Sequence, residues 1–255
     1  LYRVFTRCIT TRIRRTLDEA QPVEQAGFRR KFSTLDHIIT RCRLIKVARE
    51  YQKALVLTFI DYKKAFDSVE PARVRKALKE QGVAARYTKV LSECYSRCIT
   101  VFRPFPNDIE VSVEKGVLQG DPISPNLFPA CLASVTRICD WSTFAVVIDG
   151  EQLNHLRSAD DKVLIMRSPD DASKMFRRLD EEGSKAGLTI NTFSSRQPVL
   201  LQSVLLEDVS EYVYLGHLLS MENDIKPEIA RRERAGWAAY NSMKSILEDI
   251  KDQEL

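Results

Sequence analysis

The sequence predicts an α/β (α+β) fold with a ferredoxin-like, split βαβ core. Between residues 54 and 191, segments with strand-like and helical patterns follow one another in the order β-α-β-β-α-β. The chain has 255 residues and is 44% hydrophobic, so it can bury a substantial core as one large domain or two small ones. Because the central strands of such a core are antiparallel neighbours, they bring together residues that lie far apart in the chain.

Two helices are predicted at the start of the chain. Ser33 and Thr34 supply an N-cap for the second helix, and the loop QPVEQAGFRRKFST separates the two. The apolar residues that we expect to face the core are Leu1, Val4, Phe5, Cys8, Ile9 and Ile13 in the first helix, and Leu35, Ile38, Ile39, Cys42 and Ile45 in the second.

Strands and helices then alternate to the end of the chain. Pro71 opens a helix that Gly82 ends, and Gly187 ends a later helix that starts at Pro169. The remaining expected elements are a strand over 54–61, a helix over 86–96, a hairpin of 99–103 with 109–113, a helix through Cys139, hairpin strands around Asp160, short strands over 188–191 and 212–215, and a final helix from about Ile225.

Charge and cysteine usage narrow the class of protein. The net charge is only +4, but the first 50 residues carry twelve lysines and arginines against five acids. A basic block beside an acidic centre suits a polyanionic partner, although solvated helix faces explain any single arginine equally well.

The six cysteines have no zinc-ligand spacing with histidine, which indicates reduced thiols in an intracellular protein. We expect no membrane span and no signal peptide, and a chain cut from something longer.

Acidic residues end two of the predicted strands. The pair Asp160-Asp161 lies at a bend in LNHLRSADDKVLIM, just after the turn dipeptide Asp149-Gly150, and the buried strand ALVLTFID ends on Asp61. Adjacent carboxylates repel each other unless a cation lies between them, and a divalent metal is the usual one. Two strands that each bring an acid to one place are what two-metal phosphoryl transfer requires.

Six segments together resemble a known family. EQAGFRRKFSTLDHI, FIDYKKAFDSV, GVLQGDPISPNLF, HLRSADDKVLI, GLTIN and YVYLG occur in the order found in reverse transcriptases of non-LTR retrotransposons, and the tail MENDIKPEIARRERAGWAAYNSM is similar to RTE-type elements of animals. The resemblance implies a right-hand polymerase, with partial fingers over residues 1–53, the palm over 54–216 and the start of a truncated thumb over 217–255.

The resemblance also implies an activity and a catalytic centre. The reaction would be RNA-directed DNA synthesis, in which a nucleotidyl group is transferred to a primer 3′-hydroxyl. Asp61, Asp160, Asp161 and the backbone carbonyl of Tyr62 would bind two Mg²⁺ or Mn²⁺ ions. The partners would be an RNA template, a DNA primer and deoxynucleoside triphosphates, with action in the nucleus. The oligomeric state stays open.

Further positions match the nucleotide side of the family's site. Lys64 and Ala65 would present backbone amides to the triphosphate, and Phe66 would lie under the incoming sugar, although a plain core Phe is an equal alternative. Gln119 and Gly120 would line the nucleotide pocket, where the alternative is an ordinary Gly/Pro loop. Arg29 would hold phosphate or template, and the alternative is a solvated arginine. Tyr214-Leu215-Gly216 resembles the primer-grip hairpin, and the alternative is a local strand turn.

Two departures from the family pattern keep a second function open. Ser158 stands where the family has Phe or Tyr before the acid pair, and no lysine follows GLTIN, where Arg196 is the nearest cation. A lysine there is the candidate proton donor to pyrophosphate, which an arginine does not replace efficiently. The alternatives are therefore a truncated, catalytically degenerate remnant that binds nucleic acid without polymerising, or a fragment too incomplete to fold.

Overall fold

The computed structural model describes residues 1–28, 32–96, 98–103, 109–148, 150–191, 211–220 and 222–251. Its helices are α1 (Tyr2–Ala20), α2 (Thr34–Glu50), α3 (Ala65–Ser68), α4 (Pro71–Glu80), α5 (Ala85–Tyr95), α6 (Ser124–Cys139), α7 (Pro169–Ser184) and α8 (Lys226–Lys251). Its strands are β1 (Val56–Ile60), β2 (Cys98–Phe102), β3 (Ile109–Val113), β4 (Val146–Ile148), β5 (Glu151–Leu153), β6 (His155–Ser158), β7 (Asp161–Met166), β8 (Glu211–Tyr214) and β9 (His217–Ser220).

A three-stranded antiparallel sheet lies at the centre, in the order β1-β7-β6. On the other side of β1, a single antiparallel bridge joins Tyr62 to Ile190. This order is that of a ferredoxin-like core whose last strand is reduced to one bridge, which confirms the predicted core. The strand predicted over 188–191 is shorter than expected: it is the single bridge at Ile190, flanked by backbone hydrogen bonds of Thr189 and Asn191 to the segment that follows β1.

The sheet has a helix layer on each side. On the back face, Ile60 and Leu164 pack into a core with residues of α1, α4, α6 and α7. On the front face, Phe59 and Val163 pack with α2 and the β8–β9 hairpin. Successive residues of a strand point to opposite faces, so neighbours in sequence enter different cores.

The predicted buried face of α2 is correct at its C-terminal end, where Ile45 is buried and Cys42 packs against the front core, and wrong at its N-terminal end. Leu35 is 58% exposed and Ile39 is 56% exposed, whereas His37 and Arg41 are buried together with Ile45. The helix turns this polar stripe inward because the Arg41 guanidinium stacks on a ring of the β8–β9 hairpin, which the sequence of α2 alone does not show. The start of the predicted face of α1 is wrong in the same way, since Leu1, Val4 and Phe5 are exposed.

Local signals in the sequence predict the ends of several elements correctly. Ser33 caps α2 in a capping box with Asp36. Gly82 follows α4 and Gly187 follows α7, both with positive φ. Strands β4 and β5 form the expected hairpin, although Asp149 in its turn lies outside the described residues. All six cysteines are free, and none of the described helices could cross a membrane.

The final helix is attached to the β8–β9 hairpin by one buried acid. Glu228 accepts a hydrogen bond from the Leu218 amide at 2.9 Å and ion pairs with Arg231 and Arg232. Arg231 also donates to the Gly216 carbonyl at 2.7 Å. The first turn of α8 is therefore fixed to the hairpin turn at Gly216 and to strand β9 at Leu218.

Candidate active site

The acid pair lies in a tight hairpin between β6 and β7. Ser158 pairs with Asp161, which leaves Ala159 and Asp160 as a two-residue turn. Ala159 has φ of 59°, a conformation that costs a residue with a Cβ on the order of 1 kcal/mol. The turn holds Asp160 at the tip and starts Asp161 on its strand.

The sheet register brings Asp61 to the same place. Ile60 pairs with Lys162, so the next step of the register sets Asp61 opposite Asp161. Residues directly opposite in an antiparallel pair have Cβ atoms about 4.5–5.5 Å apart. The three predicted acids therefore gather at one end of the sheet, with Asp61 and Asp161 on the front face.

The charges of these carboxylates interact. Partial burial, followed by the negative charges of Asp160 and Asp61, raises the pKa of Asp161 to about 6. The positive charge of Arg41 opposes this shift. A hard divalent cation would relieve the crowding, and carboxylate oxygens are its preferred ligands. In the ranges that the structure describes, however, no group of three or more His, Cys, Asp or Glu side chains is already arranged around one metal position.

Arg41 is a site residue that the sequence did not reveal. It is fully buried in α2, and its guanidinium lies 4.1 Å from the centre of the Tyr214 ring. Burial lowers its pKa to about 10, and the charge of Asp161 opposes this. Arg41 thus joins the acid cluster to the hairpin that resembles the primer grip. His37 and Arg41 share one face of α2 at i, i+4 spacing, but the helix carries so many other polar residues that this spacing gave no clear signal.

Asn191 fixes the position of Asp61. Its side-chain amide donates to Asp61 Oδ2 at 3.2 Å, and its backbone amide donates to the Asp61 carbonyl at 2.8 Å. Sequence analysis used the segment GLTIN only as a family marker and assigned Asn191 no role. The residues where a lysine was sought after this segment, including Arg196, lie outside the described residues.

Gly27 packs directly against the turn that carries Asp160. A Cβ on Gly27 would lie 2.2 Å from the backbone nitrogen of Ala159, which no side chain tolerates. The preceding residues extend the sheet edge, since the Arg157 amide donates to the Glu24 carbonyl at 2.8 Å and the Ala26 amide to the Arg157 carbonyl at 2.9 Å. Arg29, two residues on, lies outside the described residues, so its predicted contact stays a prediction.

The predicted nucleotide side is built by two segments that dock on each other. Lys64 has φ of 46° and starts the short helix α3 with Ala65. The side chain of Gln119 donates to Asp67 Oδ1 of that helix at 2.9 Å. Gly116 approaches the same turn so closely that a Cβ would lie 2.7 Å from the Asp67 carbonyl oxygen. The loop that ends at Gly120 is thereby held beside α3.

Phe66 is only half-buried. One face of its ring stacks on Phe128 with centroids 4.5 Å apart, and Phe28 meets it edge-on at 6.4 Å. The ring is fixed by packing and still presents surface to solvent, so neither of the two sequence interpretations of Phe66 is excluded. Tyr62 anchors the segment before it: its ring is buried, and its backbone bridges to Ile190.

A hairpin is present on the front face at the position where the resemblance implies a primer grip. Leu215 and Gly216 form its turn with positive φ at both positions, as a type I′ turn requires. Tyr212 stacks on Phe59 of β1 at 4.3 Å between centroids, and Tyr214 lies 5.4 Å from the same ring. The hairpin is therefore fixed to the strand that ends at Asp61.

Comparison with known proteins supports this assembly. Residues 1–218 match the family model described as reverse transcriptase (RNA-dependent DNA polymerase). The chain is 26% identical, over 92% of its length and 36% of the relative, to the retrovirus-related Pol polyprotein of the type-1 retrotransposable element R2 from Popillia japonica. A transposon-derived protein of Caenorhabditis elegans is 38% identical over 42% of this chain and 43% of its own length.

Solved structures of telomerase share the fold. Telomerase from Candida tropicalis superimposes with a TM-score of 0.55 at 12% identity, over 87% of this chain and 38% of that one. Telomerase from Candida albicans, in complex with a fragment of telomeric RNA, superimposes with a TM-score of 0.54 at 13% identity, over 85% of this chain and 36% of that one. The shared fold is that of a polymerase palm.

The chain belongs to the reverse transcriptase family, and its curated relatives place it among the non-LTR retrotransposon members. The resemblance and fold class inferred from the sequence are confirmed, while the assignment to RTE-type elements stays a prediction. The chain spans less than half the length of the curated relatives described above. Enzymes of this family are generally metal dependent.

Proposed function

We propose that this domain is an RNA-directed DNA polymerase, which transfers nucleotidyl groups from deoxynucleoside triphosphates to a primer 3′-hydroxyl and releases pyrophosphate. The observation that carries the proposal is the register of β1 on β7, which sets Asp61 opposite Asp161 and beside Asp160 in a chain of the reverse transcriptase family. The proposed boundaries remain fingers over 1–53, palm over 54–216 and thumb from 217.

In this proposal the carboxylates of Asp61, Asp160 and Asp161 and the carbonyl of Tyr62 hold two Mg²⁺ or Mn²⁺ ions. Such ions activate the primer hydroxyl and neutralise charge on the leaving pyrophosphate. The raised pKa of Asp161 supports the assignment, because anionic groups crowd together there without a cation. The role of Asn191 is to orient the Asp61 carboxylate.

The same proposal gives the nucleotide segments their roles. The Phe66 ring lies under the sugar, and because Phe128 supports it from below it cannot move aside for a 2′-hydroxyl. Lys64 and Ala65 face the triphosphate with their backbone, and Gln119 and Gly120 close the pocket. Arg29 contacts phosphate or template.

Exposed arginines of α1 support an RNA template and a DNA primer as partners. Arg3, Arg7, Arg12 and Arg15 are exposed on this helix. Arg3 lies beside the nucleotide loop, where a Cβ on Gly120 would be 3.5 Å from its guanidinium. Basic side chains in such a row bind the phosphate backbone without reading sequence. Action in the nucleus follows from the family resemblance and stays a prediction.

Primer extension tests the proposal. The wild-type domain should extend a DNA primer on an RNA template when Mg²⁺ or Mn²⁺ is added, and Asp160→Asn should lose all detectable extension. Its melting temperature should stay equal or rise, because the change relieves repulsion between neighbouring carboxylates. Asp170→Asn, an exposed acid in the first turn of α7, is the matched control and should extend normally.

Anisotropy with the labelled primer–template separates this function from its alternative. Wild-type protein that binds the duplex but extends it with neither metal would be a nucleic-acid-binding remnant, and the proposal would be wrong. Retained extension by Asp160→Asn would assign that residue a structural role. A parallel DNA-template reaction measures the template preference.

A further inference from the structure

A cavity of about 400 Å³ lies behind the catalytic sheet. Its floor is formed by His155 and Arg157 of β6, and its walls come from the end of α6 and from the residues after α1. Arg157 pairs with Lys162, whose sequence neighbour Asp161 points to the front face. The cavity is therefore on the opposite side of the sheet from the acid cluster and separate from the proposed catalytic centre.

Unpaired hydrogen-bonding groups surround this cavity. Arg157 is 0% exposed, and none of its three guanidinium nitrogens has a hydrogen-bond partner among the described residues. Trp141 Nε1 and His155 Nε2 line the same cavity and are equally unsatisfied. A buried guanidinium without an acceptor is costly, and native proteins rarely leave one so.

Positive charge dominates the neighbourhood. Lys162, fully buried beside Arg157, donates to Thr136 Oγ1 at 2.8 Å and lies 5.3 Å from the centre of the Trp141 ring. Arg137 lines the rim, and its charge adds to burial in lowering the pKa of Arg157, which stands at about 10. The site thus has two arginines that line one cavity, with Lys162 buried next to Arg157.

Two acids also line the cavity, Glu24 and Asp140. The charge of Glu24 raises the pKa of Arg157, so the two attract each other, but no ion pair joins them among the contacts of the described residues. A rotation of Glu24 onto Arg157 is the competing way to satisfy the guanidinium. It predicts that the cavity takes no ligand.

We propose that this cavity binds a phosphate group, either of a small free phosphate or at the end of an oligonucleotide, with Arg157 as its principal ligand and Trp141 and Arg137 as further donors. Guanidinium and phosphate match in bidentate geometry, and the indole N–H adds a neutral donor. The volume lies within the range of small-ligand sites. Because Arg157 is fully buried at the floor, its guanidinium has to turn into the cavity to meet a phosphate, and a terminal phosphate enters the cavity more readily than the backbone of an intact duplex.

Binding is measured in metal-free buffer with EDTA, so that the acid cluster does not attract phosphate. The protein carries Trp237→Phe, which leaves Trp141 as the remaining tryptophan and makes its fluorescence a direct report on the cavity. Inorganic phosphate at constant ionic strength should change this fluorescence saturably and raise the melting temperature, whereas chloride should do neither. A 5′-phosphorylated and an unphosphorylated RNA trinucleotide then distinguish the two sources of phosphate.

Variants make the assignment specific. Arg157→Met should abolish the response to phosphate, and Arg177→Met, an exposed arginine of α7, should bind as the wild type does. If Arg157→Met does not fold, Trp141→Phe keeps a ring and removes one donor, and the melting-temperature titration should show binding weakened about tenfold.

The proposal is overturned if phosphate and chloride act alike on the wild type, or if Arg157→Met and Trp141→Phe both respond as the control does. A stability loss in Glu24→Gln together with no phosphate response would identify the Glu24–Arg157 ion pair instead. None of these measurements needs polymerase activity, so they stand independently of primer extension.

Discussion

The front and back faces of the catalytic sheet hold charges of opposite sign in different surroundings. On the front, Asp61 and Asp161 are partly exposed, and partial burial, followed by the crowding of the acids, raises the pKa of Asp161. On the back, Arg157 and Lys162 are fully buried, and burial lowers the pKa of both. Asp161 and Lys162 are consecutive residues, so a slip of one position in register would exchange the two surroundings.

This difference shows how one strand can serve two purposes. Partly exposed carboxylates remain available to ligands, whereas buried cations must find partners within the protein or from a ligand that enters it. A one-residue shift in the register of β7 would misplace both Asp161 and Lys162. Both faces of the sheet therefore favour the same register. The following changes test each face separately.

The largest effect is expected at the turn that carries Asp160, where the backbone packs directly against Gly27. Gly27→Ala would drive a methyl group into the backbone at Ala159, so the free energy of unfolding should fall by about 2–4 kcal/mol. Gly236→Ala, where a Cβ meets nothing within 4 Å in α8, is the control and should stabilise by about 0.5–1 kcal/mol. Urea unfolding measures both. Equal stability of Gly27→Ala and wild type would show that the hairpin can move away from Gly27.

A change of opposite sign is expected on the back face. Lys162→Met preserves length and removes a buried amino group whose one hydrogen bond among the described residues is to Thr136, so the free energy of unfolding should rise by about 1 kcal/mol. Lys174→Met on the exposed side of α7 should change it by less than about 0.5 kcal/mol. A clear loss of stability in Lys162→Met would mean that the ammonium is paired more strongly than its contacts indicate.

The titration of Asp161 on the front face should make the free energy of unfolding depend on pH. The pKa of this carboxyl is raised from 3.8 to about 6, so the folded state retains a proton that the unfolded chain has released between those values. Its stabilising contribution is present at low pH and is lost as pH rises through this window. In metal-free buffer, the stability of Asp161→Asn relative to wild type should therefore increase from pH 4 to 6 and then level off. Denaturation curves at each pH measure this difference. A difference in free energy of unfolding between the two proteins that does not change with pH would contradict the crowding of the acids.

His37 should make the stability of the fold depend on pH in the opposite direction, with a smaller effect than that of Asp161. Burial, and then the charge of Arg41, lower its pKa from 6.5 to about 4, so the unfolded chain takes up a proton first as pH falls. The stability that this residue contributes is present above pH 6.5 and is lost toward pH 4. His37→Gln should flatten the acid side of the stability profile, as followed by thermal melts. An unchanged slope would show that His37 is hydrated in solution.

The sequence predicts those parts of the site that depend on local patterns. Asp61, Asp160 and Asp161 each end or begin a strand, and the alternation of apolar residues sets their faces. Gly27 and Asn191 could not be assigned, because their contacts join segments that are distant in the chain. The buried face of α2 was mispredicted for the same reason: Arg41 turns inward to meet Tyr214, and no property of the helix itself announces that partner.

The attachment of α8 to the β8–β9 hairpin has a mechanical consequence. The helix has 26 residues and is therefore about 39 Å long, and the bonds of Glu228 hold its first turn to the hairpin beside the acid cluster. If the helix rotates as a rigid rod about its attachment to the hairpin, its far end moves much further than its first turn. A rotation of about 10° at Glu228 would move the far end of the helix, about 34 Å away, through about 6 Å, given a rise of 1.5 Å per residue. Small adjustments of the hairpin against Phe59 are thus amplified into large displacements at the tip of the helix.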